Sequence, residues 1–148
     1  MEIAMLAPPW IPVPPPGYGG IEQVLALLAA ELTERGNHVT LFAAPGTRSR
    51  ARVLSPLEGP HPDQIEMSLY EADHVASAFA RMEQSDPPFD VLHDHCGFTA
   101  FAFADRISTP VVHAARPLQA GHVGVLRTAR PQGRRRRPEP LSGRAGAQ

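Results

Sequence analysis

The chain has 148 residues and no internal repeat, enough for one domain with a real hydrophobic core and too few for two complete α/β domains. Its fourteen Arg, with no Lys, nearly balance fifteen Asp and Glu, but the signs are segregated: residues 1–115 hold six Arg against fourteen acidic residues, and residues 116–148 hold eight Arg against one Glu. The single Cys96 excludes an internal disulfide framework, no apolar run approaches the about 20 residues of a membrane span, and Glu2 with Pro8-Pro9 makes a poor signal peptide, so a cytoplasmic location is expected.

Residues 2–7, Glu-Ile-Ala-Met-Leu-Ala, are too short for a helix and fit a strand buried on both faces. Residues 8–20 follow as a loop with Pro at 8, 9, 12, 14, 15 and 16. Each Pro fixes φ and removes a donor, so the loop is expected to be stiff and extended. It ends in Gly17-Tyr18-Gly19-Gly20. A helix is expected over about 21–35, with Ile21, Val24, Leu25, Leu28 and Leu32 on one stripe. Gly36 is its expected C′ residue. His38–Ala44 reads as a second strand, parallel to the first because the crossover is right-handed.

Residues 45–62 read as loop, with a short strand at Ala51–Leu54. A helix over about 63–84 would carry Ile65, Leu69, Ala72, Ala76, Phe79 and Met82 on its apolar face, with Asp63 as N-cap. Pro87-Pro88 then bar further helix. Phe89–His93 is a strand running into Asp94-His95-Cys96-Gly97, followed by a short helix at about 98–107 and a strand at Pro110–Ala114. This order gives an α/β fold, a Rossmann-like doubly wound parallel sheet. Residues 116–148 draw 21 of 33 positions from Arg, Pro, Gly and Ala. Their apolar residues form no stripe longer than a turn, so a disordered basic tail is expected.

Several residues stand where chemistry could occur. Gly19 and Gly20 lie between a strand end and a helix start, so they suit either a turn needing positive φ or close backbone approach to an anion. Tyr18 could line a ligand site or pack on the prolines. Glu22 could touch a ligand hydroxyl, although a cap for its own helix is the better fit. His93 and His95 alternate along an extended segment and point to one face. Position 95 falls at the carboxyl end of its strand, where open α/β sheets bind ligands, whereas His93 fits a core histidine satisfied by backbone. His93, Asp94, His95 and Cys96 are consecutive and cannot close a tetrahedron, so no metal is expected. The absence of a G-x-G-x-x-G fingerprint argues against a nicotinamide or flavin cofactor, and none is expected. Arg134–Arg137 has no interleaved aromatic residue, so nucleic acid is not an expected partner.

The stretch Ile3–Glu22, with Ala7-Pro8-Pro9, the proline run and Gly17-Tyr18-Gly19-Gly20-Ile21-Glu22, resembles the N-terminal half of family-4 glycosyltransferases, retaining enzymes of the GT-B fold. Arg35–Ala43, Phe89–His95 and Thr109-Pro110-Val111-Val112-His113 fit the same family in order and spacing. The resemblance covers residues 1–113. It implies transfer of a sugar from a nucleotide-sugar donor to an acceptor that the sequence does not identify, without a metal. It also implies an N-terminal lobe that mainly holds the acceptor and a second lobe that holds most of the donor. By that resemblance His95 faces the sugar cleft as the catalytic candidate, and Tyr18, Gly19, Gly20 and Glu22 border substrate.

Similarity ends at Ala114-Ala115-Arg116-Pro117, where the family continues with a second His and Gly-Pro. A frameshift near codons 114–116 of a G+C-rich gene is the expectation. The domain is then 1–115, an incomplete N-terminal GT-B domain, with the tail at 116–148. Such a chain is expected to be inactive alone. Two other readings are a non-catalytic module of the same fold that binds a sugar phosphate or nucleotide, and an interaction protein working through its basic tail.

Overall fold

The computed structural model describes residues 1–59, 63, 65 and 67–114. The expected tail over 116–148 lies outside the described residues. In chain order the elements are β1 (Glu2–Leu6), α1 (Gly20–Glu34), β2 (His38–Phe42), β3 (Arg52–Leu54), α2 (Ser68–Glu83), β4 (Val91–Asp94), α3 (Phe98–Phe103), a 3₁₀ turn (Ala104–Arg106) and β5 (Val111–His113). The strands form one sheet in the order β3-β2-β1-β4-β5, and every neighbouring pair is parallel. The fold is Rossmann-like α/β, as the sequence implies.

Alternation along β1 explains the two cores. Ile3 and Met5 join Val39, Leu41, Leu25 and Ala29 on the α1 side. Ala4 and Leu6 join Phe42, Leu92, Val75 and Phe79 on the α2 and α3 side. Successive strand residues point to opposite faces, so a fully apolar strand such as β1 needs cover on both.

The ends of α1 follow from its sequence. Gly36 has φ of 82°; its N–H donates to the Thr33 carbonyl at 3.0 Å, and Asn37 N–H donates to the Leu32 carbonyl at 3.2 Å. That pair of bonds is a Schellman motif, with Gly36 at the left-handed C′ position. The expected stripe needs one correction. The buried arc is Glu22, Leu25 and Ala29, and Val24 is exposed. At 3.6 residues per turn, Val24 falls outside an arc centred between Leu25 and Ala29.

α2 departs further. It begins at Ser68 and not near 63, and Met67, not Asp63, occupies the N-cap with extended backbone and no capping side chain. The buried face is His74, Val75, Ala78, Phe79 and Met82, while Ile65 and Leu69 are exposed. Phe79 and Met82 are shared with the expected stripe. The packed face is set by Val75, Ala78, Phe79 and Met82 at i, i+3, i+4 and i+7, which turns Leu69 away from the sheet. Small shifts occur elsewhere: β4 runs Val91–Asp94, although Phe89 is still buried in the core, and the final helix gives way to a 3₁₀ turn at Ala104.

The proline loop is pinned to the turn after β2. Val13 N–H donates to Thr47 Oγ1 at 2.9 Å, and Arg48 N–H donates to the Val13 carbonyl at 2.7 Å. Trp10 is buried and its ring lies 5.4 Å from Tyr70 on α2.

Candidate functional site

The strand order reverses direction between β1 and β4. In open α/β sheets the crevice beyond the carboxyl ends at such a switch is where ligands bind. The chain leaving β1 runs to Gly19–Gly20 and into α1. The chain leaving β4 carries His95–Gly97. The two exits are stitched together: His95 N–H donates to the Leu6 carbonyl at 2.9 Å, and the Cys96 thiol donates to the Ala7 carbonyl at 3.3 Å.

Gly19 is the N-cap of α1, with φ of 154° and ψ of 75°. A Cβ there would lie 2.7 Å from Pro15 Cβ and 2.9 Å from Glu22 Oε2. Glycine is required at 19 by both backbone and space. At Gly20 a Cβ would meet nothing within 4 Å, so the space beside this position is open. The first helical bond is Gln23 N–H to the Gly19 carbonyl at 2.9 Å. The N–H groups of residues 20–22 therefore lack intrahelical partners, as at any helix start.

Glu22 lies in this first turn and retains 5% of its surface. No capping hydrogen bond forms, which corrects the reading of Glu22 as a cap. His74 Nδ1 is the one buried side-chain polar atom without a partner among the described residues, so the unpaired Glu22 carboxylate reaches the surface with its oxygens. Tyr18 is 95% exposed and does not pack on the prolines.

His93 and His95 meet as the alternation requires. Their rings are edge to face at 4.6 Å, and His95 Nε2 lies 3.3 Å from His93 Nδ1. His93 is thus paired with a side chain and not with backbone. His93 registers with Met5, so the pair sits on the α1 side of the sheet, the side on which Glu22 lies. Burial and the neighbouring His93 push the His95 pKa down to about 4, against a smaller opposing pull from Asp94. Burial also lowers His93. Both rings are neutral at pH 7, and neutral imidazole offers one donor and one acceptor.

Asp94 points the other way. It is fully buried, accepts the Cys96 N–H at Oδ1 (2.8 Å) and pairs with His113 Nδ1 at Oδ2 (2.7 Å). Sequence reasoning missed this pair. The residues are 19 apart, and only the β4–β5 register, which sets Asp94 against His113, brings them together. Among the described residues no group of three His, Cys, Asp or Glu is placed to hold a metal ion. No helix among them is long and apolar enough to cross a membrane. A separate cavity of about 280 Å³, bordered by Arg52, Arg81, Asp86 and Phe89, shares no residue with the crevice.

The chain is similar in structure to AviGT4, a glycosyltransferase involved in avilamycin A biosynthesis, at a TM-score of 0.51 and 26% sequence identity. The match covers 76% of this chain and 30% of AviGT4. The similarity supports a glycosyltransferase-like fold. The chain spans less than a third of that neighbour's length. No protein-family model and no curated protein matches the sequence.

Proposed function

We propose that this chain is the acceptor-side lobe of a family-4, GT-B-type glycosyltransferase, with a nucleotide sugar as donor. One observation carries the reading: the Gly19–Glu22 turn and the His93–His95 pair lie on the same side of the sheet and flank its switch point, in a fold similar to that of a glycosyltransferase. Free N–H groups of residues 20–22 and the Glu22 carboxylate put donors and an acceptor within one helical turn. Sugar hydroxyls, each donor and acceptor at once, suit that mixture better than an isolated anion, which Glu22 would repel. Gly20 lets the ligand approach the backbone. His95, neutral and held by His93, is the proposed catalytic group, and Tyr18 extends from the loop that leads into α1.

The parent reaction stabilises a departing diphosphate by preorganised donors. In the proposed enzyme most of those donors belong to the second lobe. We therefore infer that this lobe by itself binds sugar ligands without appreciable turnover. A cytoplasmic location belongs to the same proposal. Thermal-shift titration of the full chain with UDP-glucose, GDP-mannose and glucose 1-phosphate, followed by a turnover assay, tests this. Stabilisation without turnover is expected, and robust transfer overturns the inactivity.

A further inference from the structure

The Asp94–His113 pair sits on the α2 and α3 side of the carboxyl edge, opposite the His93–His95 pair. Asp94 registers with Leu6, which belongs to the core under α2, and the His113 ring lies 5.3 Å from Phe101 of α3. A carboxylate only accepts hydrogen bonds, so the proton between the two lies on His113 Nδ1. In the neutral ring the other nitrogen, Nε2, is then a lone-pair acceptor. It has no partner among the described residues and is not one of their buried unpaired atoms, so it reaches solvent through a ring whose side chain is only 13% exposed.

Beside it Phe101 is 43% exposed, and Phe98, one turn earlier on α3, is 82% exposed. An oriented acceptor next to half-open aromatic surface presents one polar point and one apolar face. A pyranose ring has the complementary character, with hydroxyls at its rim and a C–H face. Aromatic walls with a few fixed polar groups are the usual composition of small-molecule sites. Asp94 also spends its second oxygen on the Cys96 N–H, which fixes the turn after β4 and with it the direction in which Oδ2 faces. The ring is therefore held from a rigid strand end.

We propose that His113, oriented by Asp94, forms a second carbohydrate subsite with Phe101, in which Nε2 accepts a hydrogen bond from a sugar hydroxyl. Asp94 is a positioning residue in this arrangement. The inference rests on the reading of the carboxyl edge as sugar-binding, and the experiment separates the two.

Long-range ¹H–¹⁵N spectra of the full chain at pH 7 report the His113 tautomer without any ligand. The Nδ1–H form is expected, and finding the Nε2–H form overturns the subsite. UDP-glucose, GDP-mannose and glucose are then titrated. A binding probe should shift the His113 Nε2 resonance. Asp94→Asn keeps an oxygen for the Cys96 N–H but turns an amide donor toward Nδ1, which reverses the tautomer. Asp94→Asn and His113→Leu should each weaken the binding probe about tenfold, the scale of one lost hydrogen bond, and His113→Gln, which retains an acceptor, should recover most of the loss. A probe that binds wild type, leaves Nε2 unshifted and binds both variants equally well overturns the subsite and leaves the carboxyl-edge reading standing. If no probe binds wild type, both fall together.

Discussion

His74 Nε2 donates to the Ala7 carbonyl at 3.0 Å, across the interface between α2 and the end of β1. The ring is completely buried, and its other nitrogen, Nδ1, has no partner. Burial drives the pKa of this histidine down to about 4, against a smaller opposing effect of the Ala7 hydrogen bond. The unfolded chain takes up this proton near pH 6.5 and the folded one only near pH 4. The stability contributed by a neutral His74 is therefore fully present above pH 6.5 and is lost as pH falls toward 4. That loss is about 3 kcal/mol. Urea unfolding at intervals from pH 7.5 to 4 should show it. His74→Leu should remove roughly half of the slope or less, leaving the parts that arise from His95 and His93, whose pKa values are displaced in the same direction. An unchanged slope in His74→Leu would assign the acid sensitivity elsewhere.

The two glycines before α1 should separate in their response to a methyl group. At Gly19 the new Cβ meets Pro15 at 2.7 Å, and φ is 154°. Strained backbone and overpacking each cost about 1–3 kcal/mol, so Gly19→Ala should lower stability by at least about 2 kcal/mol. At Gly20 nothing lies within 4 Å, and alanine is a better helix residue than glycine. Gly20→Ala should leave stability unchanged within about 0.5 kcal/mol or raise it, while weakening sugar ligands by blocking the backbone. Paired urea curves and ligand titrations check both. Equal destabilisation by the two substitutions would show that Gly20 is held in the turn as tightly as Gly19.

Much of this architecture can be read from periodicity. The unbroken apolar run of β1, the Gly36 stop and the spacing of Leu25, Leu28 and Leu32 lead directly to a βαβ unit and a doubly wound sheet. α2 shows where that reading loses its hold. Phe79 and Met82 fit a stripe drawn back through Leu69 and Ile65, but that same stripe passes over His74, a polar residue that the fold buries completely. Periodicity counts a histidine as polar. Only the carbonyl of Ala7, 67 residues away, makes its burial tolerable. The site divides in the same way. The glycine turn and the His93–His95 alternation are local and legible. The Asp94–His113 bond depends on which strands are neighbours and in what register, information that no short window of sequence contains.

Leu69 and Phe79 therefore make a sharp contrast. Phe79 is fully buried, with its ring 6.0 Å from Phe103. Phe79→Ala removes that ring from the core and should cost about 3–5 kcal/mol, a large share of the stability of a domain of this size. Leu69 is 84% exposed, and Leu69→Ala should change stability by no more than about 0.5 kcal/mol. Denaturant midpoints at constant m-value measure both. A cost above about 1.5 kcal/mol for Leu69→Ala would mean that α2 packs through the stripe of Ile65 and Leu69 after all.

Glu22 offers the most direct separation of ligand binding from folding. Its carboxylate makes no capping bond and retains little surface. Its oxygens reach the surface, so a neutral amide of the same shape leaves the packing of the first turn unchanged. Glu22→Gln should keep the midpoint of thermal unfolding. The same exchange replaces a charged acceptor by a neutral one, and hydrogen bonds to charged groups are worth about 1.5–3 kcal/mol against about 1 for neutral ones. A sugar hydroxyl that donates to Glu22 should accordingly bind about tenfold more weakly in Glu22→Gln. Thermal unfolding and calorimetric titration of the same samples read the two effects separately. A fall in stability with unchanged affinity would make Glu22 a structural residue of the first turn and remove it from the crevice's ligand contacts.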